Sequence, residues 1–87
     1  MEPVIVAEWP RNAREAVRIS LSKYNGAPMI DMRVWYDDGA GKTRPAKQGL
    51  TLSTKYLPRL AGALTKALAD AEARGLVPAD APRPPQD

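Results

Sequence analysis

The sequence predicts an α+β fold: a curved antiparallel sheet of three to four strands followed by one long C-terminal helix, closed as a homodimer. Three observations carry this reading. Two runs between Val17 and Tyr36 alternate apolar and polar residues about an Asn25-Gly26 pair, and Asn-Gly so placed is the strongest short-range hairpin signal, because a type I′ turn needs positive φ at both central positions. Downstream, Leu57, Leu60, Ala61, Leu64, Ala67, Leu68 and Ala71 recur at helical spacing. Finally, a chain of 87 residues leaves little margin for a self-sufficient core, so a second copy, arranged with two-fold symmetry, is the expected way to cover what one copy leaves open.

Taken in order, Val4, Ile5 and Val6 begin a β-prone run that reaches Trp9 and stops at Pro10, since proline cannot donate to a ladder; it reads as an edge strand. Residues 11–15 are polar and suit a loop, a lead into the next strand or a short helix. In the hairpin, Val17, Ile19 and Leu21 oppose Ile30, Met32 and Val34 as one apolar face. Pro28 predicts an edge or bulged start to the second strand. Asp37 to Gly41 is a turn, and Arg44 to Leu52 a further strand with Ala46, Leu50 and Leu52 on one side and Lys47, Gly49 and Thr51 on the other. Ser53-Thr54 offers a helix N-cap and Gly75 a stop. Pro58 is expected to weaken one bond of a helix starting near Thr54. Residues 1–75 are read as one nucleic-acid-binding domain, and residues 76–87, with Pro78, Pro82, Pro84 and Pro85, as a disordered tail.

Composition narrows the function. The chain has no cysteine and no histidine, which removes the usual nucleophile and base pairs and the common zinc ligands; no catalytic residue, metal or cofactor is expected. No apolar run approaches the roughly 18 residues of a membrane span, and Met-Glu-Pro is not a secretory leader, so the expected location is cytoplasmic and nucleoid-associated, with no membrane or small-molecule partner. The net charge of +3 is unevenly placed: residues 11–48 hold eight lysines and arginines against four acids, and residues 70–87 two against four. A basic sheet fits a polyanion.

The hairpin's other face would present Arg18, Ser20, Ser22, Tyr24, Arg33, Lys47 and Thr51. Rings interleaved with cations and hydroxyls suit single-stranded nucleic acid, because every base has a π-face and every phosphate takes a cation. Trp35 is read rather as core or interface, and Asp31 as a neighbour that pairs with Arg33. Strict alternation puts Arg33 and Tyr36 on opposite sides, so one ligand reaches both only if the strand is bulged or strongly curled.

From Val17 to Leu60 the chain resembles the single-stranded-DNA-binding domain of the transcriptional coactivator family called positive cofactor four. The residues that carry this are Tyr24-Asn25-Gly26, Ile30-Asp31-Met32-Arg33 followed by Trp35-Tyr36, and Arg44-Pro45-Ala46-Lys47-Gln48-Gly49-Leu50-Thr51-Leu52. The resemblance implies a homodimer whose curved sheets form channels for unpaired strands, with Tyr24 and Tyr36 as stacking aromatics and Arg33, Arg44 and Lys47 as basic contacts. Asn25, Ala27 and Gln48 stand where the family has cations, so weaker or differently placed binding is expected there. Without the serine-rich acidic arm of the eukaryotic members, the chain resembles a bacterial-type minimal member.

The expected function is therefore binding of single-stranded or melted DNA, with RNA left open, through Tyr24, Arg33, Tyr36, Arg44, Lys47 and Arg18, in transcription or DNA maintenance. The alternative is an adaptor whose basic sheet face meets an acidic protein.

Overall fold

The computed structural model describes residues 2–85; Met1 and the last two residues of the expected tail, Gln86 and Asp87, lie outside the described residues. The chain forms two compact units, the first ending at Leu57 and the second beginning at Pro58.

The first unit is a four-stranded antiparallel meander, β1 (Val4–Pro10), β2 (Glu15–Tyr24), β3 (Ala27–Asp37) and β4 (Thr43–Ser53), in the order β1-β2-β3-β4. Its centre is the expected hairpin. Asn25 and Gly26 take φ of 51° and 81°, as a type I′ turn demands, and pairing runs unbroken from Tyr24↔Ala27 to Glu15↔Tyr36. That register sorts the side chains by face. Val17, Ile19 and Leu21 lie with Ile30, Met32 and Val34, and β4 adds Leu50 and Leu52. Arg18, Ser20, Ser22 and Tyr24 share the opposite face with Asp31, Arg33 and Trp35.

Of the two expected settings for Pro28, an edge position or a bulge, the structure shows the edge. Lys23↔Pro28 follows the pair that closes the turn, so the proline nitrogen points away from β2, and pairing of β3 with β4 starts only at Met29↔Ser53. No ladder donor is required there.

Two irregularities lie elsewhere. In β1 the register slips at Val6: Ile5 pairs Ser20 but Ala7 already pairs Ile19. This extra residue brings Glu8 opposite Arg18 and leaves Trp9 opposite Val17. In β4, Gly49 pairs Arg33 while Pro45 pairs Trp35, so Ala46, Lys47 and Gln48 stand opposite Val34 alone. The expected even alternation through Lys47 is interrupted at that bulge. Residues 11–14 form the β1–β2 loop, where Asn12 Oδ1 accepts the N–H groups of Arg14 and Glu15, each at 2.9 Å.

The core is thin. Ile30 and Val34, central in β3, are 5% and 7% exposed, while the edge strand leaves Val4, Ile5 and Val6 at 48%, 53% and 53%.

A 3₁₀ turn, Thr54–Tyr56, follows β4; Ser53 Oγ caps it by accepting the Lys55 N–H. This turn delays the α-helix α1 to Leu57–Ala73. Pro58 therefore falls in the first α-turn rather than in the second turn of a helix begun at Thr54, a place where proline is tolerated. At the other end Gly75, φ 69°, closes a Schellman motif: its N–H donates to Glu72 O at 3.1 Å and that of Leu76 to Ala71 O at 2.8 Å. No residue of α1 is buried, and Leu64 and Leu68 of its apolar stripe are exposed. Residues 76–85 form neither helix nor strand; Arg83 reaches Glu72 at 3.7 Å.

Candidate nucleic-acid interface

The polar face of the sheet holds an open groove of about 710 Å³. Each lining strand contributes through its alternation: Arg18, Ser20 and Ser22 from β2, Asp31 and Trp35 from β3, Thr51 from β4, with Lys23 and Tyr24 at the hairpin end. Tyr24 is 73% exposed. An exposed ring held beside a tight turn is a stacking surface that costs little ordering entropy.

The two arginines of this face are otherwise engaged. Arg18 lies over the Trp35 ring, 4.0 Å from its centroid, and its Nε donates to the Glu8 carboxylate. Trp35 thus belongs to the polar face as the floor beneath a cation, and its Nε1–H is buried without an acceptor, a cost on the order of 1–3 kcal/mol.

Arg33 is more completely bound. Its Nε donates to the Asp31 carboxylate at 3.2 Å, Nη2 to Asp31 Oδ1 at 3.0 Å and Thr51 Oγ1 at 3.3 Å, and Nη1 to the carbonyls of Ala46 and Lys47 at 3.1 and 3.3 Å. Thr51 in turn donates to Asp31 at 2.6 Å. Every guanidinium N–H has an acceptor. The expected pairing with Asp31 is present, but the arginine does more than pair. It pins the outward carbonyls of the β4 bulge, and in this arrangement it is a brace with no donor left for a phosphate. Arg33→Gln should lower stability by about 1–3 kcal/mol, read as a shifted urea midpoint.

Tyr36 and Arg44 occupy a different place. They face each other across β3 and β4, and Tyr36 also faces Glu15, all on the side away from Arg33. Because the β2–β3 register is unbroken, no bulge in β3 turns Tyr36 towards the groove. At about 3.3 Å per residue, Tyr36 lies roughly 30 Å along the strand from the Tyr24 end. It borders a separate concavity of about 570 Å³ with Asn12, Ala13, Arg14, Glu15 and Asp37. Arg44 is exposed, and its Nε donates to Asp38 at 2.8 Å. Lys47, at the β4 bulge, is exposed and forms no ion pair among the described residues.

The loops that frame this end are held by carboxylates. Asp38 is pulled below its ordinary pKa of 3.8, first by the Arg44 hydrogen bond and then by the Ala40 N–H. Glu15 is pulled below 4.5, first by the Asn12 amide and then by the charge and hydrogen bond of Arg11. A depressed carboxyl pKa stabilises the fold above its unfolded value and ceases to do so as pH falls through the folded one. Melting temperature should therefore hold from neutrality to about pH 4.5 and then fall, and Asp38→Asn should make the fall shallower while lowering the neutral value, as calorimetry across pH would register.

Sequence reasoning missed the Glu8–Arg18 pair, which depends on the bulge at Val6, and the Arg11 to Gln48 hydrogen bond at 3.2 Å; neither leaves a local sequence signal. Among the described residues no group of three or more acidic side chains is placed to hold a metal ion, and no helix is long and apolar enough to cross a membrane.

Comparison with known proteins gives the fold a context. Residues 12–62, more than half of the chain, match the family model described as Transcriptional Coactivator p15 (PC4). A PC4 homologue from Burkholderia pseudomallei superposes with a TM-score of 0.68 at 26% identity, over 76% of this chain and 89% of that one. A bacteriophage T5 homologue of the eukaryotic coactivator PC4, implicated in recombination-dependent DNA replication, gives 0.66 at 25% identity over 82% and 80%. MoSub1, solved in complex with DNA, shares the fold with a TM-score of 0.60 at 23% identity over 79% and 84%. No curated protein matches.

Proposed function

The chain belongs to the Transcriptional Coactivator p15 (PC4) family, and from that premise we propose that it binds single-stranded or melted DNA as a homodimer, with little sequence preference, in transcription or DNA maintenance at the nucleoid. The observation that carries the reading is the open groove on the polar sheet face, where the exposed Tyr24 ring stands beside the hydroxyls of Ser20 and Ser22. A ring and rotating hydroxyls accept any base, so stacking and backbone charge would set the affinity. Relatives support the partner: MoSub1 has been crystallised with single-stranded DNA.

Within this reading, Tyr24 stacks bases, Lys47 takes phosphate from the bulge, and Tyr36 with Arg44 supplies a second contact region on the far side of the sheet. Arg18 and Arg33 shape the platform. Residues 1–75 form the binding domain and residues 76–87 an appended tail. The exposed Trp9 and Leu50 on the apolar sheet face and the exposed Leu64 and Leu68 of the helix supply surface for a second copy, at about 1.5–3 kcal/mol per large side chain covered. No catalytic step is assigned.

Fluorescence-anisotropy titration of labelled oligo(dT), the matching duplex and oligo(U), alongside light scattering, tests this. Tightest binding to the single DNA strand, weakening with salt, and a mass twice that of one chain are expected. Absence of oligo(dT) binding at low salt rejects the function.

A further inference from the structure

We infer that Lys23, at the hairpin end of the groove, is the residue that meets the phosphate backbone there. The inference rests on the single-strand-binding reading and names the cation that serves it. Of the groove's lining residues, two carry charge besides Lys23, namely Arg18 and Asp31; the Arg33 that binds Asp31 does not itself line the groove. Arg18 is flattened on Trp35 and paired with Glu8, its side chain 17% exposed. The charge of Asp31 is answered by Arg33, both side chains 20% exposed. Cancelling these pairs leaves Lys23 as the groove's uncompensated charge; among the described residues it forms no ion pair or side-chain hydrogen bond, and it is exposed.

Its position suits the work. Lys23 adjoins Tyr24, and although alternation would send neighbours to opposite faces, both line the groove. A base on the Tyr24 ring carries its own phosphate within reach of a flexible four-carbon stem and a compact ammonium, which takes a phosphate as a point charge without a fixed geometry. Arg18 or Arg33 would first have to abandon a carboxylate, and Arg33 two backbone carbonyls as well.

The test is the salt dependence of oligo(dT) binding, measured by anisotropy on the full chain. Each phosphate contact on a single strand contributes about −0.7 to the slope of log K against log salt. Lys23→Gln should flatten the slope by about 0.7, with an unchanged melting temperature, and Lys23→Arg should restore it. Arg74→Gln, which removes a charge paired with Asp70 and absent from the groove lining, should leave the slope at the wild-type value. A wild-type slope in Lys23→Gln overturns the inference, as does equal flattening in Arg74→Gln, which would make the effect one of net charge alone. Wild-type protein that fails to bind oligo(dT) at low salt rejects the function itself, and this assignment with it.

Discussion

Gly49→Ala is expected to abolish cooperative folding of the sheet or to strip most of its stability. Gly49 has a φ of +151°, a region almost confined to glycine, and a Cβ there would lie 2.4 Å from the Met32 carbonyl oxygen and 2.8 Å from Arg33 Cα. Both obstacles are backbone, so no side chain can swing away. Strain of about 1–3 kcal/mol from the dihedral and a similar overpacking cost of about 1–3 kcal/mol together consume much of the ~5 kcal/mol at the lower end of domain stabilities. The control is Gly62→Ala in the helix, where the new Cβ meets nothing within 4 Å and helix propensity predicts a gain of about 0.5–1 kcal/mol. Far-UV circular dichroism melts of the two variants should move in opposite directions. A Gly49→Ala melt within a few degrees of wild type would mean that β4 does not pass β3 in this way.

The second large effect belongs to binding. Tyr24→Ala should weaken oligo(dT) affinity by roughly 5- to 150-fold, the range that corresponds to about 1–3 kcal/mol of stacking on one ring. With 73% of the residue exposed, little packing is lost and the melting temperature should scarcely change. Tyr24→Phe keeps the π-face and should keep the affinity. If Tyr24→Ala binds like wild type, the hairpin end of the groove is not where bases sit.

Much of the architecture was legible because its determinants are local. Asn25-Gly26 encodes its own turn, and an unbroken alternation on each side then fixes every pair from Glu15↔Tyr36 inward. The same alternation separated Tyr36 from Arg33, a separation the register maintains. The Leu and Ala spacing marked the helix, though the 3₁₀ turn that moves its start to Leu57 was not visible, since Ser53 caps either form equally well. What remained hidden depends on which strand lies beside which. The single extra residue at Val6 changes the face of every later residue of β1, whereas the two extra residues between Pro45 and Gly49 displace only their own stretch; neither alters a local pattern, so both read as ordinary strand. For the same reason the basic residues of the polar face could be gathered from the sequence, but their partners could not. Arg18 finds Glu8 only through one irregularity, and Arg33 finds the carbonyls of Ala46 and Lys47 only through the other.

The slip at Val6 also bears on the outer edge of the sheet as a template for other chains. An outermost strand that starts Val-Ile-Val, half open to water, would ordinarily invite a foreign strand to dock along its free N–H and C=O groups and seed fibrils. An extra residue in the middle of that run spoils the flat, regular spacing an incoming chain would have to match, and Pro3 and Pro10 deny it a donor at either end.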